Sequence, residues 1–359
     1  MAQKEGPLEA QDVMLAYQLL LGRPPESLAV VRYYQALPDL NALGERLIAS
    51  SEFESRYSRL LPSTVSSLQI YAGYTPSDLD IFDAFAGPSS APEPGFIIDF
   101  LGVRTRATYS PGFASYSGRV LGVPVPGDFH AETAEWLGLL KSVRSASRCY
   151  RAMELGAGWG PWLIAGATAA RRFGISDLKL YGVEADTGRA TFLEQHFADN
   201  GYDIAQHSLF RGAVGTTSGL VHWPVSDDSA ADYGTRPVGK DTKDYRGREV
   251  QRVIDVTVFG INDLLHQEEH WNLLHVDVQG SEVEVCEAGL DEITARVAWV
   301  TIGTHSRLLE GQLHKLFRQA GWMLEHDKPA QFVFSSAANT LESMTTIDGT
   351  QVWRNPKFA

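Results

Sequence analysis

Four short stretches of this chain combine residue types that can do chemistry. In Glu154-Leu155-Gly156-Ala157-Gly158-Trp159-Gly160-Pro161, three alternating glycines follow an acid. Glycine accepts left-handed backbone and lets a ligand approach the main chain, so the run predicts a tight strand-to-helix turn that can seat one. Pro161 suits the first helical position. The G-x-G-x-G spacing differs from the G-x-G-x-x-G of dinucleotide loops. Glu154 at the strand end would repel a pyrophosphate and welcome a cation.

The second stretch is Tyr181-Gly182-Val183-Glu184-Ala185-Asp186. A carboxylate ending the next strand can accept both hydroxyls of a ribose. Dinucleotide folds place an acid similarly, so position alone does not choose the ligand; Asp186 is a candidate helix cap. A ligand with a ribose and a positive charge fits both stretches, and S-adenosylmethionine carries a sulfonium and an ammonium group. Its expected contacts are Glu154, Gly156, Ala157, Gly158, Trp159, Gly160, Glu184, Ala185, Ala213 and Asp277.

In the third stretch, Leu273 to Val285, Asp277 ends an apolar run and His275 alternates with it. Side chains two apart share one face of a strand. The fourth, Val300 to Arg307, carries His305. A further cluster, Asp128 to Trp136, holds His130, Glu132, Glu135 and Trp136. Asp277 is the first candidate to position or deprotonate an acceptor, then His305, then His275 or His130. A metal reading of Asp277, His305 and His130 lacks diagnostic spacing. No metal ligand is assigned, and Mg2+ stays open as an alternative.

The elements that must position these residues follow from periodicity. Strands are expected at Tyr150–Leu155, Leu178–Val183, Ser208–Val214, Val253–Val258, Leu273–Asp277 and Val297–Ile302. Helices are expected at Pro161–Phe173, Thr187–Asn200, Ile261–Gln267, Glu282–Ala288 and Leu308–Ala320. This alternation predicts a doubly wound, mostly parallel α/β sheet of Rossmann-like type. WMLEHD, QFVFS and QVW would give it an antiparallel C-terminal edge. Asp128 is the expected cap of a helix carrying Trp136, Leu137 and Leu140.

Residues 1–62 predict a small helical bundle. Met14, Leu15, Leu19 and Leu20 mark one helix, Val30, Val31, Tyr34 and Leu37 a second, and Leu43, Leu47 and Ile48 a third. Ser50 or Ser51 would cap a fourth. Residues 63–148 read as a linker and an N-terminal extension on the substrate side, and 149–359 as the ligand-binding domain. Ser226 to Gln251 is polar and without periodicity, which predicts a mobile lid or a disordered insertion.

Composition narrows the function. The 359 residues carry a net charge of -13, against a general nucleic-acid binder. Arg104, Arg106 and Arg119, or Lys240, Lys243, Arg246 and Arg248, could still form local basic patches. Two distant cysteines show no disulfide framework, and no signal-peptide run or membrane span is evident. The expected setting is cytoplasmic, with the oligomeric state open and a homodimer allowed.

Taken together, these motifs resemble the FkbM-type methyltransferases. MELGAGWG and YGVEAD are similar to that family's opening motif and second-strand acid. Asp277, Gly280 and Glu282 match its K-x-D-x-E-G-x-E block, with His275 for the lysine and Gln279 for the glutamate. Gly303-Thr304-His305 keeps the histidine of its E-x-H, and INDLL with Asp263 is similar to the segment before its fourth core strand. LLGRPP and LIASSEFESRY resemble a small bacterial helical domain of unknown function, often found beside glycan-related enzymes. The resemblance implies S-adenosylmethionine-dependent O-methylation of a hydroxyl on a saccharide or glycoconjugate, such as a bacterial surface-glycan precursor. A nicotinamide-dependent oxidoreductase and a non-catalytic scaffold remain the alternatives.

Overall fold

The helical pattern at the N-terminus closes into its own small core. In the computed structural model the described residues are 8–48, 50, 52–53, 73–87, 90–238, 250, 252–336 and 340–358. The chain divides into two units, Met1–Ile70 and Tyr71–Ala359. In the first, α1 (Ala10–Ala16) continues into a π-turn at Tyr17–Leu21, and α2 (Leu28–Gln35) and α3 (Leu40–Ile48) follow. Val13, Tyr17 and Leu21 form the inner stripe with Val31, Leu43 and Leu47. Met14, Leu15 and Leu19, which marked the first helix by their spacing, face out, as does Ile48. This segment is apolar around most of its circumference, so periodicity could not choose the face that packing chose. Ser50 Oγ accepts the Phe53 N–H, the contact expected of a cap, but most of the fourth helix lies outside the described residues.

The second unit opens with α4 (Ile81–Ala84) and a small sheet of β1 (Phe96–Ile98), β2 (Arg104–Arg106) and β3 (Arg119–Val120), in the order β2-β1-β3. Helix α5 (Thr133–Ser145) then leads into β4 (Cys149–Leu155), α6 (Pro161–Arg172), β5 (Asp177–Glu184), α7 (Thr187–Asp199) and β6 (Ser208–Arg211). After β7 (Ala213–Gly215), β8 (Gly219–Pro224) and β9 (Val253–Gly260) come α8 (Ile261–Leu265), β10 (Trp271–Val276), α9 (Glu282–Arg296) and β11 (Val297–Thr304). The chain ends through α10 (Arg307–Gln319), β12 (Met323–Lys328), β13 (Gln331–Phe332), β14 (Thr345–Ile347) and β15 (Gly349–Arg354).

Seven strands form the main sheet, in the order β12-β15-β11-β10-β4-β5-β6, and β15 runs antiparallel to both its neighbours. Strands β10 and β11 are buried along their whole length, as parallel strands covered on both faces must be. One face packs Trp136, Leu137, Leu140 and Trp162, and the other packs Ile261, Trp271, Leu313, Phe317 and Trp353. The architecture is the expected Rossmann-like α/β sheet with an antiparallel strand near its C-terminal edge.

Four local expectations change. The expected strand Ser208–Val214 breaks at Gly212, whose N–H donates to Glu184 O and where a Cβ would meet Thr257 O at 2.4 Å. Its second half, β7, joins a separate sheet ordered β7-β9-β8, so Val253–Val258 leaves the main sheet too. QFVFS contributes only Gln331–Phe332, paired with β14 in its own ribbon. Asp128 does not cap α5; Glu132 does, and Asp128 instead accepts the Trp136 indole N–H and the backbone N–H groups of His130 and Ala131.

Candidate active site

Strand order reverses between β4 and β10, because the chain winds outward through β5 and β6 on one side and through β11 on the other. Open α/β sheets bind ligands at the carboxyl ends of strands at such a point. A cavity of about 430 Å3 lies there. Its walls include Glu154, Gly156, Ala157, Gly158 and Trp159 after β4, Glu184 and Ala185 after β5, and Ala213 from β7. His275, Asp277 and His130 line it as well. Two residues expected at the site stand outside the wall. Gly160 caps α6 at φ 73, where a Cβ would meet Leu193 Cδ1 at 2.2 Å, and His305 lies behind Asp277.

The glycines of the loop have different tasks. Gly156 and Ala157 donate their N–H groups to Val183 O, which turns the chain against β5. Gly156 has φ 75, and a Cβ there would come within 1.9 Å of Asp277 O. The absence of a side chain therefore lets the two strand exits close on each other. Gly158 has φ 56 and nothing within 4 Å of a built Cβ, so its missing side chain leaves open cavity.

Among the described residues five carboxylates line this space, and three of them, Glu154, Glu184 and Asp277, stand at strand ends. Glu184 is buried, and its two oxygens accept the N–H groups of Gly158 and Asp186, each at 2.7 Å. Each oxygen keeps a second lone pair for a ligand hydroxyl. Burial raises the Glu184 carboxyl above its ordinary value, against the opposing pull of Arg189 and those N–H groups. Glu154 is also buried, with one oxygen accepting Leu163 N–H. Burial pushes it well above the usual carboxylate range, and the charges of Asp277 and Glu184 add to that. Arg189 is the one permanent cation in the described wall. A cationic ligand with a vicinal diol would relieve this repulsion and meet Glu184, so the residues fit S-adenosylmethionine. Asp186 caps α7 by accepting Arg189 N–H at 2.9 Å.

Asp277 follows β10, and its N–H donates to Leu155 O. Its Oδ1 accepts the Gln279 amide at 2.8 Å and lies 3.3 Å from His305 Nε2. Burial opposes ionisation of Asp277, but His305, His275 and Gln279 outweigh it and hold the carboxyl below its ordinary value. On the far side, His305 Nδ1 lies 3.0 Å from Glu282 Oε1, outside hydrogen-bond geometry. Burial works against charge on His305, yet the two carboxylates raise its pKa well above the ordinary imidazole value. Glu282 Oε1 also accepts the N–H groups of Val278 and Gly280.

Ligand atoms of Asp277, Glu282 and His305 lie within 4.8 Å of one another. They do not suit Mg2+, which demands octahedral oxygen donors. One donor here is an imidazole nitrogen, and Glu282 Oε1 is already engaged by two backbone N–H groups.

His130 Nε2 stands 3.8 Å from Asp128 Oδ2, and its ring packs among Phe129, Trp136, Trp159 and Trp162. Sequence reading gave no role to Tyr233, Trp223, Arg189 or Asp348, which also line the cavity. Tyr233 lies in the aperiodic segment after β8. Its hydroxyl donates to Tyr109 O at 2.7 Å, and Arg189 sits 4.4 Å over its ring. Within the expected lid, Tyr233, Gly234, Thr235 and Pro237 form cavity wall, and 239–249 and 251 lie outside the described residues.

In the first expected basic patch, Arg104 and Arg106 both lie over the Phe96 ring. Arg104 pairs with Glu93, Arg106 pairs with Asp199, and Arg119 lies over the Tyr116 ring. Lys240, Lys243, Arg246 and Arg248 lie outside the described residues. Cys149 and Cys286 are both free thiols. Among the described residues no helix is long and apolar enough to cross a membrane.

No family model matches the chain. A protein of Jannaschia sp. (strain CCS1), provisionally described as a methyltransferase, is 34% identical over 275 residues, covering 76% of this chain and 96% of the relative. Among solved structures, the precorrin-6y C5,15-methyltransferase of Geobacter metallireducens GS-15 aligns with a TM-score of 0.35 at 8% identity, over 63% of this chain and 88% of that one. The methyltransferase FkbM of Methylobacillus flagellatus KT aligns with a TM-score of 0.35 at 10% identity, over 62% and 54%. These structural likenesses are distant, and the sequence relation to the Jannaschia protein carries the assignment. Of the three functions expected from the sequence it supports methyl transfer, and the chain belongs to the methyltransferases.

Proposed function

We propose that the protein methylates a hydroxyl group of a saccharide or glycoconjugate, in the manner of the FkbM-type enzymes its motifs resemble. The observation that carries this reading is Asp277, a carboxylate 39% exposed at the strand switch point, inside a cavity with aromatic walls. Phe113, Phe129, Trp159 and Tyr233 offer flat apolar faces to the C–H face of a sugar ring, and carboxylates accept its hydroxyls.

When bound, S-adenosylmethionine supplies a methyl group on a positively charged sulfur. Glu184 would hold the ribose hydroxyls, and the Gly156–Gly158 turn would give the donor room beside the strand end. Asp277, held ionised, would accept a hydrogen bond from a hydroxyl next to the reacting one and fix the acceptor oxygen on the line of attack. Orientation of this kind supplies much of the rate of an in-line displacement. Residues Tyr233 to Pro237 would exclude water from above. No step is routed through Mg2+.

The test is transfer of labelled methyl from S-adenosylmethionine to a panel of saccharides, with chelator or added Mg2+. Label is expected in an ether-linked methyl, at a rate the chelator leaves unchanged. Label confined to amine, carboxyl or carbon positions would show the acceptor class to be wrong.

A further inference from the structure

His275 is 3% exposed, lines the cavity, and has no hydrogen-bond partner at either ring nitrogen. A buried polar group left without a partner is destabilising unless a ligand or water completes it. Strand register places His275 between Glu154 on β4 and Thr301 on β11, and Thr301 Oγ1 is likewise unpartnered. From the helical layer above, Trp162 lies against the ring with centroids 5.3 Å apart. Glu135, at the start of α5, directs Oε1 to within 3.8 Å of His275 Nε2. Its Oε2 is anchored by the Glu132 N–H at 3.2 Å.

Of the other base candidates, His305 and Asp277 are engaged elsewhere, and so is the acid beside His130. His305 stands outside the cavity wall with a carboxylate at each nitrogen. Asp277 Oδ1 already takes Gln279 and His305. Asp128, the acid beside His130, already accepts one indole and two backbone N–H groups.

We propose that His275 is the base that takes the proton of the acceptor hydroxyl, and that Glu135 is the residue positioning it. This rests on the O-methylation reading above. A base held by a carboxylate within reach of the nucleophile is a recurring catalytic arrangement. The acceptor oxygen forms the new O–CH3 bond with a lone pair. The S–CH3 bond breaks and leaves its electron pair on sulfur, and the hydroxyl proton passes to a ring nitrogen of His275. The imidazolium, faced by Glu135, later gives that proton to solvent. The products are a methyl ether, S-adenosylhomocysteine and one proton.

The charged and titratable groups around this imidazole are Glu135 on α5, Glu154 on β4, Asp277 beyond β10, and His130 across Trp162. Only the neutral imidazole can act, so activity must fall on the acid side. The experiment measures kcat, KM and their pH profiles for wild type and for His275→Gln, Glu135→Gln, Glu135→Asp and His130→Gln, with calorimetric binding of S-adenosylhomocysteine as the check on folding. His275→Gln is expected to lower kcat by about 10²–10⁴-fold, abolish the acid limb and leave S-adenosylhomocysteine affinity unchanged. Glu135→Gln is expected to lower kcat with KM little altered. Glu135→Asp should restore part of that loss. Wild-type kcat and an intact limb in His275→Gln overturn the assignment, as does loss of the limb in His130→Gln instead. If His275→Gln does not fold, an unchanged kcat in Glu135→Gln overturns it. A wild-type enzyme that methylates no hydroxyl overturns the O-methylation reading and this base together.

Discussion

Three acids dominate the cavity, and their surroundings separate their tasks. Glu154 and Glu184 are buried against backbone N–H groups, and both carboxyls are raised. Asp277 is lowered by His305 and reaches the cavity. The first two are set to receive a cationic donor, and Asp277 is set to hold an acceptor. Asp277→Ala should therefore cut methyl transfer by at least about 100-fold, the scale of a lost orienting contact. Affinity for S-adenosylhomocysteine should stay nearly unchanged. Calorimetry beside a turnover assay checks this, and normal turnover in the variant would remove Asp277 from the mechanism.

At the scale of elements, one turn serves two ends. Gly156 lets β4 and β10 exits touch, and Gly158 leaves the cavity open. Gly156→Ala combines a backbone clash with positive φ, so it should cost at least about 2 kcal/mol of stability. Gly158→Ala meets no protein atom and should cost about 1 kcal/mol from φ alone, while its methyl intrudes on bound S-adenosylhomocysteine. Denaturant unfolding paired with calorimetry separates the two. Equal stability losses with equal affinities would sink the distinction. The segment from Tyr233 to Pro237 closes the opposite side of the same cavity, tied by Tyr233 to Tyr109 O.

For the molecule as a whole, one buried acid outside the cavity makes its own contribution to how stability depends on pH. Asp99 is 6% exposed and accepts the N–H groups of Leu101 and Val103 through Oδ1. Burial, with Asp128 adding to it, pushes its carboxyl up to about 7. A raised carboxyl means that the folded state binds the proton more tightly than the unfolded one. Its contribution is full below the unfolded value of about 3.9 and is lost as pH rises through 7. Asp99→Asn keeps the acceptor oxygen and has no charge to bury. Relative to wild type it should gain about 2–4 kcal/mol between pH 4 and pH 8. Unfolding measured across that range checks the sign, and a difference independent of pH would refute it.

Local residue patterning was enough to specify the strand-loop-helix that carries Glu154, Gly156 and Gly158, the acid Glu184 one strand on, and the parallel core. These are local: alternating glycines, strand-end acids and buried apolar runs dictate their own geometry. It also placed Asp277 at a strand exit. Packing between distant elements set His305 behind Asp277 and not in the cavity, because that depends on which side chains β10, α9 and β11 bring together. It decided that Gly160 closes against Leu193, and that the residues after Arg211 turn away into a second sheet at Gly212. It also brought Glu135, 140 positions before His275, to that imidazole. A contact between residues so far apart is fixed by how α5 packs on the sheet, and no spacing in the sequence encodes it.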